Sequence, residues 1–143
     1  VAHGKAEFGP RALGNRSLLA DPRKDIKDTV NDIKRRQRFR PFAPVILSEY
    51  AYKYFDGPMN EYMQYVAKAK HDYKSVTHVD GTARVQIVKP DSKSIIRQIL
   101  EEWYGMTGCP MLLNTSLNIK GQPIVNTKAD AEAFEIKYGV KVF

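Results

Sequence analysis

Four short segments carry side chains whose types and spacing suit phosphate chemistry. The first is Glu7-Phe8-Gly9-Pro10-Arg11-Ala12-Leu13-Gly14-Asn15-Arg16-Ser17. Its glycines allow a backbone to approach a ligand closely, and its arginines supply forked donors for phosphate oxygens. The plainer alternative is a turn whose arginine pairs with Glu7 or Asp21. The second, Lys34-Arg35-Arg36-Gln37-Arg38-Phe39-Arg40-Pro41-Phe42, sets five basic residues at an expected helix end. Cations favour helix C-termini on their own account. Because successive helical residues turn by about 100°, the five cannot share one ligand. Lys34 and one or two arginines are expected to face a pocket, with Arg40 favoured because the chain turns at Pro41. A nucleic-acid patch is the rival reading.

The third segment is Asn114-Thr115-Ser116-Leu117-Asn118-Ile119-Lys120-Gly121-Gln122-Pro123. An apolar strand, Met111 to Leu113, delivers it to a strand C-terminus, where open α/β sheets bind ligands. An ordinary polar turn with Asx bonds is the alternative. The fourth, Thr77-His78-Val79-Asp80-Gly81-Thr82-Ala83-Arg84-Val85-Gln86, places Arg84 and Gln86 on one strand face. His78 and Asp80 do not make a metal site by themselves, and three histidines and one cysteine argue against zinc. Cys109, beside Pro110 at the entry to a strand, reads as packing rather than a nucleophile.

The elements that position these segments alternate between strand and helix. Val1 to Ala6 reads as a strand or the remnant of one. Asp21-Pro22 reads as a helix start, with Ile26, Val30 and Ile33 at helical spacing and an end before Pro41. Pro44 to Leu47 is a strand and Ser48 to Phe55 a short helix. Tyr62 to Ala69 and Ala83 to Val88 read as strands, with Gly81 in the turn between them. Ser92 is expected to cap a helix through Trp103 that Gly105 and Gly108 end, and Thr127 caps a last helix through Tyr138. The pattern gives an α/β or α+β domain with a mixed sheet.

The 143 residues make one domain, 1–143, with 43% hydrophobic and 27% charged residues, which argues against a disordered chain. No apolar run has the length of a spanning helix, and no signal peptide is evident, so no membrane partner is expected. The lone cysteine suits a reducing compartment, and the cytoplasm is the expected location. A net charge of +7 fits a lysine-rich soluble surface, a polyanionic partner or a phosphate-bearing substrate. The concentration of arginine before residue 41 favours phosphate.

Four stretches, EFGPRALGNRSLLADPR, RPFAPVIL, THVDGTARVQ and LLNTSLNIKGQPIV, together resemble the C-terminal domain of the NodU/CmcH/TobZ O-carbamoyltransferase family. The resemblance runs from about Glu7 to Thr127 and is looser in the tail. It implies a YrdC-like fold, a twisted mixed sheet flanked by helices. It also implies that the domain binds ATP, accompanied by Mg2+, and carbamoyl phosphate. From these it would form carbamoyl adenylate with release of pyrophosphate or related phosphate products. A separate N-terminal domain of the same polypeptide, expected to lie outside this chain, would hold the metal of the transfer site and pass the carbamoyl group to a substrate hydroxyl. The Lys-x-Arg and Ser-x-Asn elements of YrdC-like proteins match Lys34-Arg35-Arg36 and Ser116-Leu117-Asn118. On this basis Lys34 and Ser116 are assigned to catalysis and Arg36 and Asn118 to binding ATP; Arg40 is added to catalysis, and Arg11, Arg84 and Asn114 to binding ATP, as further assignments. No metal ligands are assigned. The side chains of Arg11, Lys34, Arg84 and Ser116 are expected to converge on one pocket. The alternatives are a YrdC-type threonylcarbamoyl-adenylate synthase of tRNA modification and a basic nucleic-acid-binding module. A nucleic-acid partner is not the expectation, because no known RNA- or DNA-binding motif is present.

Overall fold

The computed structural model describes residues 1–143. In chain order its elements are β1 (Ser17–Ala20), α1 (Lys27–Ile33), β2 (Ala43–Leu47), α2 (Ala51–Tyr54), β3 (Phe55–Asp56), β4 (Ala67–Ala69), β5 (Thr82–Ala83), β6 (Gln86–Val88), α3 (Ile95–Thr107), β7 (Met111–Ser116) and α4 (Lys128–Tyr138). Short 3-10 turns occupy Ser48–Tyr50 and Lys74–Val76. The main sheet has the order β1-β7-β2-β6, and a small antiparallel sheet has the order β3-β4-β5. In the main sheet β7 runs antiparallel to both β1 and β2, while β2 and β6 are parallel. The sheet is therefore mixed, as the sequence implies.

Pro44 stands inside β2, where a missing N–H would ordinarily break a ladder. It does not, because Pro44 is opposite Leu113 of β7 and the pairing with β6 begins only at Val45. Side chains alternate along β7, so Leu112, Asn114 and Ser116 share one face and Met111 and Leu113 the other. On the first face, Leu112, Val45, Leu47 and Val88 pack beneath Ile96 and Leu100 of α3. On the second, Leu113 packs with Val30 of α1 and Phe134 of α4, and Met111 with Ile46, Phe55 and Ala83 next to the small sheet. Each buried large apolar side chain contributes roughly 1.5–3 kcal/mol, which fixes the sheet between its helices.

Several elements differ from the sequence reading, each for a local reason. Asp21-Pro22 does not start a helix: Asp21 is satisfied by the backbone N–H and guanidinium of Arg23, and α1 starts at Lys27 with no side-chain cap. α1 ends at Ile33, well before Pro41, with Lys34 as its C-cap and Arg35 turning into the left-handed region at φ 52°. Only Ala67–Ala69 of the stretch Tyr62 to Ala69 is strand. Upstream, Asn60 Oδ1 accepts from the N–H groups of Tyr62 and Gln64 and coils the chain into a loop. Ala83 and Gln86–Val88 belong to different sheets. Ser94, not Ser92, caps α3, and Gly105 lies within that helix while Gly108 ends it in a left-handed conformation. Val1 to Ala6 contributes only a bridge between Ala2 and Arg16. Thr127 caps α4 as read, in a reciprocal capping box with Asp130. No helix is long and apolar enough to cross a membrane.

Candidate functional site

The loop from Glu7 to Arg16 is closed by its own acid. Glu7 Oε1 accepts from the N–H groups of Leu13 at 2.7 Å and Asn15 at 2.6 Å. Neither arginine of the loop pairs with that acid or with Asp21. Arg16 is buried and donates to the carbonyls of His3, Gly4, Asn15 and Asn126, so it is a structural residue. Arg11 stays exposed. The loop is pressed onto α3 at Gly14, where a Cβ would lie 2.8 Å from Cβ of Ile96. Two buried amides tie it to the sheet. Asn114 Nδ2 donates to the carbonyl of Ala12 at 3.1 Å, and Gln86 Nε2 to that of Leu13 at 2.9 Å.

The basic run is organised by Asn31, a fully buried residue of α1. Its Nδ2 donates to the carbonyls of Arg38 and Arg40, and its Oδ1 accepts from Arg36 Nε. The Arg36 guanidinium also donates to the carbonyl of Pro41 and lies 4.1 Å from the centre of the Phe42 ring. That stacking fixes a planar cation at low entropic cost. Arg38 turns outward to pair with Asp32. The run therefore does not form one continuous basic stripe.

Arg36 and Arg40 meet Arg11 and Arg84 around a cavity of about 290 Å³ at the end of β7, whose wall also includes Asn114 and Ser116. No carboxylate lines it, and none of the four arginines takes part in an ion pair. Burial first, then Arg40 and Arg84, holds Arg36 down to about 10. Burial, Arg11 and Arg40 lower Arg84 as well. The mutual repulsion of the clustered guanidinium groups is what a bound polyanion would relieve. A cleft of about 370 Å³ near the start of α3 lacks this character: Glu7 and Glu61 there face Lys89 and Lys93, and Lys89 is paired with Glu61.

The expected convergence holds for Arg11, Arg84 and Ser116 and fails for Lys34, which does not line the cavity. Lys34 is buried behind it, and its ammonium donates to the carbonyls of Ser116 and Asn118 and to Asn118 Oδ1. Burial, then Arg36, pulls this ammonium down to about 7, while the surrounding oxygens favour its charged form. Asn118 also lies outside the cavity wall. It accepts from Ser116 Oγ at 2.6 Å and donates to the carbonyl of Gln122. Lys34 and Asn118 are thus placed to hold Ser116 rather than to touch a ligand in the cavity. Strand β7 runs through Ser116, so Asn114 and Ser116 sit on strand, not on a turn.

Among the wall residues to which sequence reasoning gave no role are Thr115, His78 and Met63. His78 lies within a segment already singled out, where only a metal role was weighed. Met63 is held at φ 55° by the Asn60 loop, and no sequence pattern marks it. Cys109 is buried with its Sγ on the carbonyl of Met111, and burial pushes its thiol up, in keeping with packing.

A sequence model of the family described as "Carbamoyltransferase C-terminus" matches residues 1–143. Nodulation protein NolNO of Sinorhizobium fredii is 44% identical over 138 residues, covering 90% of this chain and 20% of that protein. Nodulation protein NolO of Bradyrhizobium diazoefficiens is 42% identical, covering 90% and 25%. The 3'-hydroxymethylcephem-O-carbamoyltransferase of Amycolatopsis lactamdurans is 40% identical over 131 residues, covering 89% and 25%. The chain spans about a fifth to a quarter of the length of the curated relatives it matches.

Proposed function

The chain belongs to the carbamoyltransferase C-terminus family, and from that premise we propose that it binds ATP and carbamoyl phosphate and forms carbamoyl adenylate as a half-reaction of O-carbamoyl transfer. The observation that carries the reading is the cavity lined by four arginines without a carboxylate partner. Carbamoyl phosphate and ATP repel each other, and guanidinium groups offset that repulsion and the charge developing in phosphoryl-type transfer. Carbamoyl phosphate, ATP and water would give carbamoyl adenylate, pyrophosphate and phosphate. In that sequence water would first displace phosphate from carbamoyl phosphate to leave carbamate, and a carbamate oxygen would then bond to the α-phosphorus of ATP as the bond to pyrophosphate breaks. The arginines bind and orient the phosphates. Ser116, held by Lys34 and Asn118, offers its hydroxyl at the same wall.

Mg2+ bound with ATP would neutralise phosphate charge. The cavity wall offers it no carboxylate, so its ligands would come from phosphate oxygens and water. Transfer to an acceptor hydroxyl, and the metal of that step, are proposed to lie in the longer polypeptide represented by the relatives, and the cytoplasm is the proposed location. The test is carbamoyl-phosphate-dependent exchange of labelled pyrophosphate into ATP, with calorimetric binding of each ligand. Exchange that is lost in Arg84→Ala supports the reading. A folded protein that binds neither ATP nor carbamoyl phosphate overturns it.

A further inference from the structure

Arg36 and Arg40 share one cavity wall with no carboxylate on it, although like charges repel. The segment that carries them also includes a strained residue. Helix α1 ends in a Schellman turn, in which Arg36 N–H donates to the carbonyl of Asn31 and Arg35 N–H to that of Asp32. Such a turn ordinarily takes glycine at its left-handed position, which here is Arg35 at φ 52°. Repulsion and strain both favour opening the loop, so contacts elsewhere must oppose them. Asn31 makes those contacts. It is 0% exposed and lies outside the cavity wall. Its Nδ2 donates to two carbonyls of the loop, those of Arg38 and Arg40, each at 3.1 Å, and its Oδ1 accepts from Arg36 Nε. Carbonyls only accept, so they fix the orientation of the amide. One side chain therefore holds both the backbone at Arg40 and the guanidinium of Arg36. An apolar residue of that size would serve the inner face of α1 beside Val30 as well, so what the amide adds lies in the loop.

We propose that Asn31 is a positioning residue that preorganises Arg36 and Arg40 for a polyphosphate without touching it. The inference rests on the reading that the arginine cavity binds ATP. The clasp fixes the Arg36 guanidinium and the backbone that carries Arg40 before the anion arrives, so binding need not order them. Without it, the ligand must order the loop and both side chains at the moment of binding, which weakens the affinity of the folded protein. A purely architectural amide would lower stability and leave that affinity unchanged.

The experiment measures ATP binding by calorimetry and stability by urea denaturation in the parent, Asn31→Ala, Arg36→Ala/Arg40→Ala and the triple variant. Asn31→Ala is expected to weaken ATP binding about tenfold. In the Arg36→Ala/Arg40→Ala background the same substitution should weaken it by less than about twofold, because the groups it positions are gone, while its cost in stability persists. Asn31→Asp, which keeps the acceptor for Arg36 Nε and loses both donors, takes the place of Asn31→Ala if that variant does not fold. The unsubstituted 15N-labelled protein gives a further readout. Before any ligand is added, its Arg36 Nε–H should exchange with water much more slowly than that of exposed Arg11. A folded Asn31 variant that binds ATP as the parent does, an equal loss in both backgrounds, or an Arg36 Nε–H that exchanges as fast as that of Arg11 overturns the role of Asn31 while the arginine reading stands. If Arg36→Ala/Arg40→Ala itself binds ATP as tightly as the parent, the arginine reading fails and this inference with it.

Discussion

Lys34 Nζ lies 3.0 Å from Asn118 Oδ1, a contact that ties the end of α1 to the turn after β7 across 84 residues of sequence. Asn118 Oδ1 also accepts a hydrogen bond from the Ser116 hydroxyl, so the orientation of that hydroxyl depends on the lysine. In Lys34→Ala, two backbone carbonyls and two side-chain oxygens, those of Asn118 and Ser116, each lose a hydrogen bond. The expected result is a stability loss of about 1.5–3 kcal/mol together with loss of pyrophosphate exchange. Lys24→Ala, which removes an exposed charge nearby, should change neither. Thermal melting and exchange assays on both variants check this. If they behave alike in exchange, Lys34 does not hold a functional Ser116.

The depressed Lys34 ammonium makes stability depend on pH. Its folded value near 7 lies below its ordinary 10.5, so between these values the unfolded chain binds more protons than the folded one. Stability therefore rises with pH across that window, and the burial penalty is felt fully only below about pH 7. The lowered amino terminus of Val1 contributes in the same direction below pH 8, but equally in a variant. Urea midpoints measured at pH 7 and pH 9.5 should rise more in the parent protein than in Lys34→Met. An equal rise in both would show that Lys34 does not titrate in this range.

How much of this was legible in sequence depended on whether the cause was local. The apolar run of β2, the Thr127 cap of α4 and the arginine-rich character of the site follow from residues within one segment. The direction of Lys34 does not, because its partners Ser116 and Asn118 come from the far end of the chain and no helical angle encodes their position. Asp21-Pro22 carries a sound helix-start signal that was overridden by a side chain two residues away, Arg23. Tyr62 to Ala69 alternates like a strand, yet the Asn60 side chain captures the backbone donors a ladder would need. The Asn114–Gln86 pair was invisible because it joins strands β7 and β6, which are not neighbours in the sheet.

The arginine cavity makes a prediction about which charges matter. Arg84 is half-buried, unpaired and turned to the cavity, whereas Arg38 of the basic run is outside and paired with Asp32. Arg84→Ala should weaken ATP binding by about ten- to a hundredfold, the range for losing one charge-assisted hydrogen bond. Arg38→Ala should leave it nearly unchanged. Calorimetric titration of both variants decides the matter. Similar losses in the two would mean that net charge attracts the ligand without a defined site.

The loop that carries Arg11 depends on a close approach that only glycine permits. Gly14 has φ 128°, and a Cβ there would meet Cβ of Ile96 at 2.8 Å and Cγ2 at 3.1 Å. Gly9, at the other end of the same loop, has a similar φ of 138° but nothing within 4 Å of a built Cβ. The two positions share backbone strain and differ in the clash. Gly9→Ala should therefore cost about 1–3 kcal/mol through strain alone. Gly14→Ala should cost about 1–3 kcal/mol more, because helix α3 and the loop must separate. Truncating the helix side chain should not rescue it, since Ile96→Ala retains the Cβ that makes the closest contact and adds a cavity of its own. The displacement also pulls on Ala12 and Leu13, whose carbonyls are held by Asn114 and Gln86, so Arg11 should lose its register with Arg84. Chemical denaturation and ATP titration of Gly9→Ala, Gly14→Ala and Gly14→Ala/Ile96→Ala test the sequence of effects. A Gly14→Ala protein as stable as Gly9→Ala would show that the loop does not rest on α3 as the structure has it.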